Sequence, residues 1–143
     1  MNLEEELRER FLLQGIATGP ATIKEIDSLE SALGHPLPVA YRAYLRVCGT
    51  HPPKHLIGSD CVIGCLVDNN KAAMELLADN GINKPDAPMV TFLMHQGYFF
   101  EYFLIDESDD PLVYSYMEGD KNIKPSVRHF SEWVGAIPGH MTT

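Results

Sequence analysis

Residues 22–49 read TIKEIDSLESALGHPLPVAYRAYLRVCG, and this stretch decides the first half of the fold. Thr22 followed by Glu25 is a capping box, the signature of a helix start. Ile26, Leu29 and Leu33 then fall on one helical face, and Gly34 stops the helix. Pro36-Leu37-Pro38 is an extended link. Pro38 suits the first turn of a further helix, in which Tyr41, Tyr44, Leu45 and Cys48 share a side and which Gly49 ends. Upstream, Leu3, Leu7 and Phe11 form an apolar stripe, so a helix is expected over 3–15, broken by Gly15 and Gly19-Pro20. Downstream, Thr50-His-Pro-Pro-Lys opens a loop over 49–59.

The remainder alternates differently. Residues 61–67 are expected as a short strand, and Asp68 as the cap of a helix through Ala72, Ala73, Leu76 and Leu77 that stops at Asn80-Gly81. Met89–His95 and 98–106 read as two strands joined by a tight turn at Gln96-Gly97. The second of these is apolar on both faces, which marks a central strand covered on both sides. A turn at 108–111, a strand over Leu112–Met117 and a turn at Glu118-Gly-Asp follow. Ser126 is expected to cap a closing helix carrying Val127, Phe130, Trp133 and Val134, with a frayed tail over 139–143. The sum is α+β: N-terminal helices packed on a mainly antiparallel sheet, with a short closing helix. Its 143 residues fit one domain, with a core over about 22–135.

The formal net charge is −9, from 11 Lys and Arg against 20 Asp and Glu. Nucleic-acid binding needs clustered cations, and so does docking on anionic membranes, so neither is expected. The apolar run at 99–105 is interrupted by Glu101 and is far too short to span a bilayer. The acidic start resembles neither a secretory signal nor a transit peptide. Three cysteines without a scaffold pattern suit a reducing cytoplasm.

Several pieces stand in a recognisable order: Leu33-Gly34, Leu37-Pro38, Tyr41, Leu45 and Gly49, then Phe103-Leu104-Ile105-Asp106, Pro111-Leu112-Val113-Tyr114 and His129-Phe130-Ser131-Glu132-Trp133-Val134. Over about 22–135 the chain resembles the SUKH superfamily, which includes the fungal cell-wall-assembly regulator and many bacterial toxin-immunity proteins. Cys48-Gly49-Thr50 stands where that family often has Gly-Gly or Asn-Gly, and Trp133 where its closing helix usually has Phe. The resemblance implies an α+β fold, no known catalysis and a protein-binding role, and no cofactor is expected. In bacteria the commonest implied role is neutralising a toxin, often a nuclease. Leu33, Gly34, Leu37, Pro38, Tyr41, Leu45, Gly49, Phe130 and Trp133 are then expected to hold the helices on the sheet.

Candidate chemistry is thin. Cys48, His51, His55, Cys61 and Cys65 fall close together, and thiolates with imidazoles can bind zinc. Yet His51 and His55 straddle Pro52-Pro53, and Cys61 and Cys65 lack the tight knuckle spacing, so packing is the preferred role and no metal is expected. No nucleophile motif and no phosphate-binding glycine loop occurs. The informative feature is charge placement. Residues 101–120 hold Glu101, Asp106, Glu107, Asp109, Asp110, Glu118 and Asp120 and no Lys or Arg, a local −7. Aromatics crowd the same region, Tyr114 and Tyr116 among them. These nine residues are the candidate surface for a basic protein partner, a toxin domain being one such partner, because complementary charge selects partners and Tyr anchors interfaces. A regulatory module without a toxin partner is the alternative, and a small metal protein a third. The chain is expected to be a monomer or a weak homodimer.

Overall fold

The computed structural model describes residues 2–51, 56 and 59–136. The elements in chain order are α1 (Leu3–Leu13), α2 (Ile23–Leu33), α3 (Val39–Cys48), β1 (Ser59–Asp60), a 3-10 turn (Ile63–Cys65), α4 (Leu66–Asp79), β2 (Met89–His95), β3 (Phe99–Leu104), β4 (Leu112–Met117), β5 (Lys124–His129) and α5 (Phe130–Gly135). The five strands form one antiparallel sheet in the order β1-β2-β3-β4-β5, so every neighbour in space is a neighbour in sequence. The fold class is therefore α+β, with helices leading and a short helix closing.

Local chemistry explains the helix ends. The Thr22 amide donates to Glu25 Oε1 at 2.9 Å and the Glu25 amide to Thr22 Oγ1 at 3.1 Å, a complete capping box. Gly34 closes α2 in the left-handed region at φ 81°. Gly49 has an ordinary φ of −61°, but its need for glycine is steric. A Cβ there would lie 2.5 Å from the Leu45 carbonyl oxygen and 2.6 Å from Ala21 Cβ. At the β2–β3 turn, Gln96 and Gly97 both take positive φ, the geometry that a two-residue hairpin turn demands.

Alternation along β3 separates two cores. Phe103 packs with Tyr41, Tyr44, Leu45, Phe92, Phe130 and the rest of the cluster built by α1, α2, α3 and α5. Phe100 and Tyr102 face the other way, onto Ala73, Leu76 and Leu77 of α4. Helices thus cover both sides of the sheet, and β3 is central, as its doubly apolar pattern requires. The aromatic rings of the larger core meet mostly edge to face: Phe130 lies 5.4 Å from Tyr41, 5.6 Å from Tyr44 and 5.1 Å from Phe92.

Three local expectations are corrected. Residues 61–67 are not a strand. The paired segment is the two residues Ser59–Asp60, and the chain turns through a 3-10 turn straight into α4. Asp68 consequently does not cap α4, which begins at Leu66; Asp68 sits inside its first turn, where a carboxylate still favours the helix dipole. Ser126 is no helix cap either. Residues 124–129 pair with β4 as an edge strand, and His129 caps α5, its amide donating to Glu132 Oε1 at 3.0 Å. The expected frayed tail at 139–143 lies outside the described residues.

Candidate functional site

The acidic segment follows β3 and β4, and antiparallel pairing sorts it into three places. Asp106, Glu107, Asp109 and Asp110 lie in the β3–β4 connection, at one end of the sheet. Glu118 and Asp120 lie in the β4–β5 turn, at the opposite end. Six residues of β4 separate the two groups, about 20 Å of strand at ~3.4 Å per residue. Glu101 lies between them in the middle of β3. The −7 run is therefore not one surface.

At the first end, Asp106, Glu107 and Asp109 are exposed. Asp110 is committed to structure: its carboxylate accepts from the Ser131 amide at 2.9 Å and the Ser131 hydroxyl at 2.5 Å, holding the first turn of α5. The Asp109 carbonyl likewise accepts from the Ala40 amide at the start of α3. These bonds tie the acidic connection to two helix N-termini. At the second end, Glu118 is exposed, while Asp120 lies 3.6 Å from Lys124 and its carbonyl accepts from the Tyr116 hydroxyl at 2.6 Å. The Gly119 amide donates to Asn80 Oδ1, which fastens this turn to the end of α4.

The aromatic candidates divide too. Tyr116 is fully buried against Phe100 and belongs to the α4-side core, not to the surface. Tyr114 is half-buried and stacked on Tyr102 at 5.4 Å. The outward aromatic is one that charge and alternation did not single out: Tyr98 at the β2–β3 turn, 41% exposed, with its ring against His95.

Glu101 is the unusual member. Strand register places it in a row with Leu93, Ser115 and Lys124, and next to the row His95, Phe99 and Met117. Cross-strand partners share a face, and this face is the one that Phe103 and α5 define. Trp133 Nε1 donates to Glu101 Oε1 at 3.2 Å. Burial pushes the Glu101 carboxyl above its usual range, although the Trp133 bond and the Arg128 charge pull it down. A partly desolvated carboxylate in the centre of a sheet costs free energy, and such groups concentrate at functional sites.

The residues expected to hold the helices on the sheet lie inside. Leu37, Pro38, Tyr41, Leu45, Phe130 and Trp133 are buried, and Leu33 packs against the same core. The Leu37 amide donates to Glu30, which also pairs with Arg42 at 2.6 Å. Burial alone would raise the Glu30 carboxyl, but that amide and the guanidinium outweigh it and hold the pKa below its ordinary value.

The cysteine and histidine stretch does not converge. Cys48 and Cys61 are buried; burial first pushes each thiol up to about 12, with Cys61 adding to the shift at Cys48, and Cys65 and Asp60 adding to it at Cys61. Cys65 is partly exposed on the 3-10 turn. His51 is taken up in a bridge with Gly19, and His55 lies outside the described residues. Among the described residues no group of three or more His, Cys, Asp or Glu is placed to hold a metal ion.

A family model described as the SMI1 / KNR4 family (SUKH-1) matches residues 20–136. The chain belongs to this family. No curated protein matches it. The SUKH match covers every element from α2 to α5 and leaves out α1, so the sheet, both of its ends and the Glu101 face fall inside the family's domain. SUKH proteins are in general immunity and regulatory proteins that act by binding other proteins, generally without catalysis. Among the described residues no helix is long and apolar enough to cross a membrane.

Two residues that positioning requires escaped the sequence reading. Asn69 sits in the buried stripe of α4 with Leu66, Ala73 and Leu76. Its amide donates to the Asp60 carbonyl at 2.8 Å and the Thr91 carbonyl at 3.3 Å, while Asn70 Oδ1 accepts from the Thr91 amide at 2.7 Å. Register slips between Val90 and Leu93, and the Asn pair supplies the hydrogen bonds that the irregular ladder leaves open. The signal was present: a polar residue at 69 interrupts an otherwise apolar helical stripe.

Proposed function

We propose that this SUKH-1 chain is an immunity protein that binds a basic toxin domain, a nuclease being the natural case, and neutralises it by stoichiometric blockade. The observation that supports this most is the charge: −9 overall, with exposed acids raised on loops at the sheet ends of a protein-binding fold. An enzyme that cuts nucleic acid needs a basic cleft, and an acidic surface both steers towards it and occludes it. A reducing cytoplasm is the matching compartment, where an immunity protein protects its own cell.

The test is reconstruction of the pair. The chain is purified from its native host under low salt, and proteins held at one-to-one stoichiometry are identified by mass spectrometry. Each is then expressed with and without the chain. The reading expects a basic partner whose toxicity the chain abolishes at equimolar ratio. A stable partner that is harmless in the chain's absence would sink the immunity role and leave the regulatory alternative.

A further inference from the structure

Two adjacent cross-strand rows form a surface that the helices leave partly open. Phe99 and Met117 make one row, Glu101 and Ser115 the next, with Tyr98 at the rim. Met117 is 45% exposed, and Phe99, Glu101 and Ser115 are each intermediate in burial. Trp133 closes the surface on the α5 side and spends its indole N–H on Glu101 Oε1. Beyond Ser115, Lys124 is held by Asp120 and marks the limit of the surface at β5.

We propose that this surface receives one arginine side chain of the basic partner, with Glu101 as its ionic contact and Phe99, Met117 and Trp133 as its apolar walls. This rests on the protein-binding reading above and names its central contact. Charge complementarity selects the occupant. The carboxylate has given up part of its hydration in the apolar face, which makes an incoming cation worth more than it would be at the exposed acids. A guanidinium is weakly hydrated, stacks on aromatic faces and can bond a carboxylate through two N–H groups, so it suits a site bounded by Phe and Trp better than an ammonium does. Apolar side chains around a central charged contact exclude water from it, the arrangement typical of binding hot spots. The raised carboxyl of Glu101 accords with this placement: burial in the apolar face outweighs both the Trp133 bond and the Arg128 charge.

Trp133 is the single tryptophan of the chain and bonds to the proposed anchor, so its indole N–H reports directly. The probe is acetyl-arginine amide, with the isosteric neutral acetyl-citrulline amide as control, titrated into the full chain at about 0.15 M salt and followed by NMR. We expect a saturable shift of the indole resonance with the arginine probe and none with citrulline. The shift should vanish in Glu101→Gln, which keeps an acceptor for Trp133, and in Met117→Lys, which puts a cation on the surface without entering the core. It should survive in Glu118→Gln. An absent shift, an equal shift with citrulline, or a shift retained in Glu101→Gln overturns the proposal. With the partner in hand, Glu101→Gln should weaken the complex about tenfold or more. A complex indifferent to that change overturns the arginine contact and leaves protein binding standing, whereas a chain with no basic partner at all removes the function proposed above whatever the indole does.

Discussion

At the scale of single residues, burial decides chemistry. Cys48 and Cys61 are thiols pushed up to about 12, so almost none of either is thiolate at neutral pH. Native protein treated with iodoacetamide at pH 7 should be alkylated first, and slowly, at Cys65, with Cys48 and Cys61 reacting only on unfolding; fast labelling of either buried thiol by peptide mass mapping would contradict their placement. Glu101 makes the opposite kind of statement. Its folded pKa is raised, so the folded chain holds the proton more tightly than the unfolded chain does. The group therefore favours folding while it is protonated, and that contribution is lost as pH rises through the folded pKa. Glu101→Gln should be more stable than the parent in urea at pH 7, and the gap should close as pH falls towards the ordinary carboxyl value near 4. A gap that stays constant with pH would mean that Arg128 and Trp133 compensate the charge in full.

At the scale of elements, the start of α2 and the hairpin were legible because they are local. Thr22 and Glu25 satisfy each other across three residues, and Gln96-Gly97 takes its conformation from its own backbone. The segments that misled are those where distant pairing overrode local pattern. Residues 61–67 look like a strand by composition, but Asn69 ties α4 to the Asp60 carbonyl, so the helix begins just after a two-residue strand. Residues 124–129 look like a helix approach, yet they form the sheet edge opposite β1, with Pro125 tolerated because the outer side of that edge carries no ladder. These two kinds of contact differ in cost. Thr22→Ala removes one exposed cap and should destabilise by about 1 kcal/mol. Asn69→Ala leaves the buried Thr91 carbonyl and the part-buried Asp60 carbonyl short of a donor and should cost about 1–3 kcal/mol, the larger effect of the two in parallel urea titrations. Equal losses would mean that water replaces the asparagine amide.

At the scale of the molecule, the separation of the two acidic ends matters more than their sum. They stand about 20 Å apart along β4, more than twice the screening length of about 8 Å at physiological salt. A docking partner therefore feels one end at a time. Glu118 lies one residue beyond Met117 and so borders the Glu101 surface, whereas Asp106, Glu107 and Asp109 stand beyond the far end of the strand. Glu118→Lys should slow association with the basic partner about tenfold at physiological salt, while the triple reversal at the far end should change it little. At low salt, where screening reaches about 30 Å, both variants should associate slowly. Stopped-flow measurement at two salt concentrations separates these outcomes, and equal on-rates for both variants at physiological salt would remove the directional role of Glu118.

The sequence by itself determined what short-range physics can encode: α+β class, the capping box of α2, the glycine stops of α2 and α3, the central position of β3, and the resemblance to SUKH proteins that the family match then established. It also located the negative charge along the chain. Only the tertiary structure decided how that charge is spent. Antiparallel pairing carried neighbouring acids to opposite ends of the sheet, drew Asp110 into the capping of α5, buried Tyr116, and set Glu101 under Trp133, 32 residues away in sequence. Position along a strand follows from local pattern, whereas what a side chain faces is set by elements that arrive from elsewhere in the chain.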